Sequence, residues 1–228
     1  MPHPDTIAID GPAASGKSTI GHMLALELDY LYFDTGVMYR AVTWAVLEAG
    51  VAVTDEDTVT RIAEAITIDV VEPTQSDGRQ YTVLVDGKDI TWDLREPQVE
   101  IAVSPVSAYP GVRRAMTEQQ RRIAARGRVV MVGRDIGTVV LPDAQLKIYL
   151  DATAECRAAR RHAELRKRGQ RRAYRHILAE MQRRDKIDSE RAVAPLRPAP
   201  DAVILDTTRL AVPDVMRAVL QLIQDRDP

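Results

Sequence analysis

GPAASGKST, residues 11–19, sits between a short apolar run, Thr6 to Asp10, and a stretch whose apolar residues recur at helical spacing. Its first eight residues match G-x-x-x-x-G-K-[ST], a pattern that carries meaning only in this strand–loop–helix setting. Gly11 and Gly16 permit close backbone approach, so successive N–H groups can turn into the loop and hold phosphate oxygens. The helix that follows adds its positive N-terminal end. Lys17 is placed to neutralise a transferring phosphoryl group, and the Ser18 hydroxyl to ligate Mg2+. The reading is a nucleoside triphosphate site made by Gly11, Pro12, Ala13, Ala14, Ser15, Gly16, Lys17, Ser18 and Thr19. A glycine-rich turn with a chance match is the weaker alternative.

Outward from this loop, short apolar runs alternate with longer helical patterns, which is the signature of an α/β parallel sheet. Thr6 to Asp10, Leu31 to Phe33, Arg128 to Val132, Leu146 to Leu150 and Ala202 to Leu205 read as its strands. Gly16 to Leu28 reads as a helix with Ile20, Met23, Leu24 and Leu28 on one face. A second helix runs from a Thr35 cap to a stop near Gly50. Between 66 and 91, ITIDVV and YTVLVDGKDIT, separated by PTQSDGRQ and turned again at Asp86-Gly87, predict an antiparallel meander. Residues 95–126 return to helix, interrupted at Pro105 and Pro110, and further helices follow at about 153–168, 171–191 and 212–225. The expectation is an α/β fold, a five-stranded parallel sheet of P-loop NTPase type with helices on both faces. It forms a single domain over 1–228, with an inserted antiparallel β subdomain at about 62–100 and a helical lid at about 157–172.

Composition removes several functions. Hydrophobic residues are 45% and charged residues 28% of the 228, ordinary for a globular chain, and the net charge of −2 disfavours a general nucleic-acid or membrane binder. A single cysteine, Cys156, excludes an internal disulfide and fits a reducing compartment, so a cytoplasmic protein is expected. No apolar run approaches the ~18 residues that span a bilayer, and the start lacks a signal-peptide pattern. A GTPase would need N-K-x-D, and the chain contains no Asn. The 26 arginines against 5 lysines give no information in bulk, because genome composition or heat adaptation produces the same bias; only particular placements matter.

Four further stretches bear on what receives the phosphate: Asp34-Thr-Gly-Val-Met-Tyr-Arg40, Val132-Gly-Arg-Asp-Ile-Gly-Thr138, the basic run after Leu150, and the segment from Arg184 to Leu196 that reads RDKIDSERAVAPL. Together with the loop, and in this order over nearly the whole chain, they resemble bacterial cytidylate kinases, which are nucleoside monophosphate kinases. The resemblance implies transfer from Mg2+·ATP to CMP or dCMP, with Thr35, Tyr39, Arg40, Ser104, Arg113, Arg134, Asp135, Arg184, Asp188 and Arg191 meeting the acceptor. Among these, Arg40 and Arg134 would grip the acceptor phosphate. Ser104, Arg113 and Asp135 would surround the pyrimidine, Asp188 would meet the sugar, and Arg184 and Arg191 would meet phosphate.

The residues make chemical sense without the resemblance. Arg184, Asp188 and Arg191 are spaced i, i+4, i+7, one helical face carrying two guanidinium forks around a carboxylate, although a surface ion-pair ladder has the same spacing. A carboxylate at Asp135 suits the cytosine N4 amino group and opposes the uracil oxygen, although a helix cap would also explain it. Arg157 to Arg175 holds nine basic residues with Glu164 the only acid, and Arg157, Arg160 and Arg161 lie three and four apart on a helix. The run therefore reads as a lid over the triphosphate, with Arg157 and Arg161 stabilising charge on the moving phosphoryl alongside Lys17 and Arg184. A solvated basic face or a nucleic-acid patch would look the same locally; the lid is the preferred reading. Val132 stands where many relatives carry an acid, so the metal shell lacks its strand-end carboxylate, with Asp34 as a substitute or a helix cap. No nucleic-acid or membrane partner is expected, and the chain is expected to be a monomer. Kinases of UMP or a shikimate-like acid, or an ATP-gated nucleic-acid binder, are the rival functions.

Overall fold

Strands that are apolar on both faces belong in the middle of a parallel sheet, where helices cover both sides. β1 (Thr6–Asp10) is buried from Ile7 onward. β7 (Leu146–Asp151) pairs with it in parallel, Ile7 opposite Leu146 and Asp10 opposite Tyr149. β8 (Val203–Asp206) extends the sheet with Val203 opposite Ile148, and its alternating exposure fits its place at an edge. With β2 (Leu31–Asp34) and β6 (Val129–Gly133) the sheet has five strands in the order β2-β6-β1-β7-β8. The computed structural model describes residues 3–167, 169–191 and 193–225. Among them, no helix is long and apolar enough to cross a membrane.

The chain divides into two compact units, residues 29–129 and residues 1–28 with 130–228. In the first, α2 (Gly36–Glu48), α3 (Glu56–Ala65), α4 (Pro97–Val106) and α5 (Pro110–Ala124) accompany a small antiparallel sheet, β3 (Ile68–Val71), β4 (Thr82–Val85) and β5 (Lys88–Asp89). The hairpin turn falls at Asp86 and Gly87, both with positive φ, as the sequence predicts. This unit is wider than the expected insertion at about 62–100, because α2 packs on α3 and α4, and α5 packs on α3 and β3.

α3 has no counterpart in the sequence reading. Asp55 caps it by accepting from the Thr58 N–H at 3.1 Å, and Val59 and Ala63 form its buried side. The long β3–β4 connection is also more ordered than a polar turn suggests. Arg79, with a side chain only 3% exposed, bridges Asp77 at 2.7 Å and Asp89 at 2.6 Å, and Trp92 Nε1 donates to Asp77. The Arg79 guanidinium, followed by the Trp92 indole, holds the Asp77 carboxyl well below the usual range.

In the other unit, α1 (Lys17–Leu28) leaves the loop after β1. Its buried residues are Ile20, Gly21, Leu24 and Ala25, so Met23, 39% exposed, is not on the core face as expected. The buried stripe runs through the small residues Gly21 and Ala25, which a search for large apolar side chains passes over. α8 (Val212–Gln224) packs beside α1 and buries Val215, Met216, Val219 and Ile223. α6 (Ala154–Lys167) and α7 (Tyr174–Glu190) form a helical pair joined through Ala158, Leu165, Ile177 and Met181, with Ala14 of the glycine loop against the same cluster. The turn expected at Arg168-Gly169 is seen at Gly169, whose N–H donates to Arg166 O at 3.0 Å; Arg168 lies outside the described residues, as does Ala192.

Candidate active site

Gly11 has φ of +148°, and a Cβ there would stand 2.1 Å from the Leu150 carbonyl oxygen. That approach requires glycine, and it seats the loop directly against β7. Three of the loop's carbonyls are taken up by side chains. Lys17 Nζ donates to Pro12 O at 2.7 Å, Arg157 to Ala13 O at 3.2 Å, and Arg160 and Thr207 to Ser15 O at 3.3 and 3.1 Å. Carbonyls bonded in this way bring no negative edge to an incoming phosphate, which is what a backbone anion cradle needs. The Ser15 hydroxyl is buried without a hydrogen-bond partner. Ser18 and Thr19 are exposed at the start of α1.

The arginines of α6 divide by burial. Arg157, 5% exposed, donates through Nε to Ala152 O at 2.8 Å and pairs with both Asp185 oxygens, at 3.0 and 2.5 Å. It therefore joins the glycine loop to α7. Arg160 bonds Thr207 as well as Ser15. Arg161 is half-exposed and pairs with Glu164 at 2.8 Å. Arg184 is exposed on α7.

Below α7 a chain of alternating charge forms. Arg134 Nε donates to Asp188, Arg191 stands 4.0 Å from Asp188, and Arg191 reaches Asp135 at 3.6 Å. Here the helical-face expectation needs correcting. α7 ends at Glu190, and Arg191 has extended backbone, φ −63° and ψ 140°. The Leu196 N–H closes back onto Asp188 O at 2.8 Å, so Arg191 meets Asp188 across a turn and not along a helix.

Asp10 ends β1 immediately before the loop and is 4% exposed. Its carboxylate accepts from the N–H groups of Ile136 at 2.8 Å and Gly137 at 2.7 Å. Those residues open a one-turn π-helix, Ile136–Val140, whose preceding residue Asp135 makes no side-chain cap. Burial pushes the Asp10 carboxyl up to about 6, against the pull of those two N–H groups and of Lys17.

The unit of residues 29–129 holds the remaining candidates. Thr35 is buried but caps nothing with its side chain; Asp34 accepts the Gly36 N–H instead, at 3.0 Å. That corrects the Thr35 cap and gives Asp34 a capping contact. Arg113 is buried, lies 5.3 Å from the Tyr39 ring centre and donates to Ser107 O at 3.4 Å. Arg40 pairs with Glu100 at 2.5 Å, and Ser104 is exposed on α4. Val132 is buried in β6, so the position remains apolar. Among the described residues, no group of three His, Cys, Asp or Glu side chains could hold a metal.

Asp10, Asp185, Glu100 and Thr207 were missed by sequence reasoning, whereas Arg160 stands among the arginines read as a lid. Asp10 had a signal, a charge closing an apolar strand beside the loop. Asp185 stands within the RDKIDSER stretch. The others show none.

A glycine loop between β1 and α1, on a parallel five-stranded sheet and backed by a helical pair rich in arginine, defines a phosphate-loop kinase. The family profile described as cytidylate kinase matches residues 7–225. The chain belongs to the cytidylate kinase family. A cytidylate kinase of Chloroflexus aggregans is 52% identical over 95% of this chain and 93% of its own length. One of Herpetosiphon aurantiacus is 50% identical over 98% and 96%. Among solved structures, an uncharacterized protein of Eubacterium ventriosum superposes with a TM-score of 0.51 at 11% identity, over 97% of this chain and 99% of that one, which shows the fold alone.

Proposed function

We propose that the protein transfers the γ-phosphoryl group of ATP to CMP or dCMP, giving ADP and CDP or dCDP. An acceptor phosphate oxygen attacks the γ-phosphorus in line, and the bond to the β-phosphate oxygen breaks. The acceptor dianion is already nucleophilic, so no base is required. Lys17, Arg161 and Arg184 are assigned to charge on the moving group, and Arg157 to holding the loop against α7. The observation that carries this reading is the loop itself, with three of its carbonyls bonded away and its lysine at the helix start.

For the acceptor, the family resemblance supports Arg134, Asp135, Arg184, Asp188 and Arg191, and separately Thr35, Tyr39, Arg40, Ser104 and Arg113. Two of the arginines assigned to the acceptor phosphate, Arg40 and Arg134, now hold the carboxylates of Glu100 and Asp188. An acceptor phosphate would compete with these carboxylates for the two guanidinium groups and add its own negative charge, which the cluster of arginines is suited to take up. Mg2+ fits the site through the exposed Ser18 hydroxyl, since this ion is held mainly by phosphate oxygens and water and needs no carboxylate cage. When bound, it would neutralise charge on the β- and γ-phosphates. We read the working form as a cytoplasmic monomer; a dimer mass in light scattering would overturn that.

The test is ADP release over a panel of CMP, dCMP, UMP and shikimate. Turnover with the two cytidine nucleotides far above the others is expected, and failure to form CDP would refute the assignment.

A further inference from the structure

The helix that follows Gly133-Arg-Asp135 needs a cap for its first N–H groups, and a local one is at hand. An aspartate just ahead of a helix ordinarily bonds the N–H groups two or three residues on. Asp135 has that position and does not use it. Of the N–H groups in its reach, that of Gly137, two residues on, goes instead to Asp10, which also takes the Ile136 N–H; Asp10 lies 127 and 126 residues away in sequence and offers one carboxylate oxygen to each. A Cβ at Gly137 would press on Lys147 Cδ at 3.1 Å and come into contact with Asp10 Oδ2 at 3.4 Å, so a side chain there would stand between Lys147 and the clamp. The Asp135 carboxylate meanwhile faces Arg191 at 3.6 Å.

We propose that Asp10 is a positioning residue for acceptor specificity: by capping Ile136 and Gly137 from the end of β1, it keeps Asp135 off its own helix and turned toward the acceptor base. The inference rests on the reading of Asp135 as the group that meets the cytosine amino group. Without the clamp, Asp135 is the nearest replacement cap. A carboxylate that turns back to Gly137 no longer reads the base. An amide at position 10 creates that situation, because one of its two ends can accept an N–H but the other presents hydrogens to the second N–H.

The experiment is the ratio of kcat/KM for CMP to that for UMP in wild type, Asp10→Asn, Asp135→Asn and the double variant. Each single change is expected to lower the ratio about tenfold, the size of one lost polar match. If Asp10 acts through Asp135, the double variant falls no further than Asp135→Asn alone, a non-additivity that general loosening of the fold would not produce. A ratio unmoved by Asp10→Asn, or effects that multiply in the double variant, overturns the proposal. If Asp135→Asn leaves the ratio unchanged, the base reading fails first and this inference fails with it. Should Asp10→Asn not fold, Gly137→Ala tests the clamp from its other side and is expected to lower the same ratio; no change there also overturns the proposal.

Discussion

Replacing Asp10 with Asn should remove part of the protein's pH dependence of stability. Burial is the main cause that raises the folded carboxyl from 3.8 to about 6. The native state therefore keeps this proton more tightly than the unfolded chain, and stability falls as pH rises between the two values. The sign is definite: the favourable contribution is fully present below about pH 3.8 and is lost once pH passes about 6. At about 1.4 kcal/mol per pH unit, the loss is roughly 3 kcal/mol. Asn does not titrate, so the variant escapes it. Asn also spoils one of the two bonds to Ile136 and Gly137, an offset of about 1–3 kcal/mol that does not vary with pH.

Paired urea titrations of wild type and Asp10→Asn from pH 4 to 8 isolate this effect, because all other titrating groups cancel in the difference. The variant is expected to be the less stable protein at pH 4 and to gain on wild type by about 2 kcal/mol by pH 7, part of the effect being already spent at pH 4. A difference that stays flat over this range, or a wild type that gains on the variant as pH rises, would refute the reasoning. At neutral pH this places an ionised carboxylate where it costs the fold stability, as expected of a residue kept for its hold on the 136–137 segment.

Lys17→Ala should lower kcat by a factor of about 100–1,000 or more, with an unchanged circular dichroism spectrum, since Lys17 contacts Pro12 O within its own loop; near-normal turnover would remove the loop from the mechanism. Asp188→Ala should raise KM for CMP about tenfold while KM for ATP holds, read from steady-state kinetics, because it removes the partner shared by Arg134 and Arg191. Asp185→Ala should destabilise the protein by about 1–3 kcal/mol in denaturant titration, discounted for the partial exposure of the carboxylate, because Arg157 stays buried without its partner. Asp185→Asn should recover part of that loss.

Much of the architecture was legible because it is written in short windows. Val129 to Val132 reads as a buried strand from four consecutive apolar residues, and Asp86-Gly87 reads as a hairpin turn from backbone preference alone. α3 carries its signal in the Asp55 cap and in Val59 and Ala63, but most of its other residues are polar and the pattern is weak. Met23 fits the helical spacing yet lies off the core side of α1, which is built on Gly21 and Ala25 beside Ile20 and Leu24. Arg191 was given a helical direction that the chain abandons one residue earlier.

By itself the sequence determined the phosphate loop, the alternation of strand and helix, and the motifs that resemble cytidylate kinases, because each depends on residues a few positions apart. Only the tertiary structure decided which side chains meet. Asp10 capping Ile136, Arg157 pairing with Asp185, and Arg134 pairing with Asp188 join residues 126, 28 and 54 positions apart. Burial and charge pairing act through space, and the distances they act over are set by the order of strands in the sheet, which no local window contains.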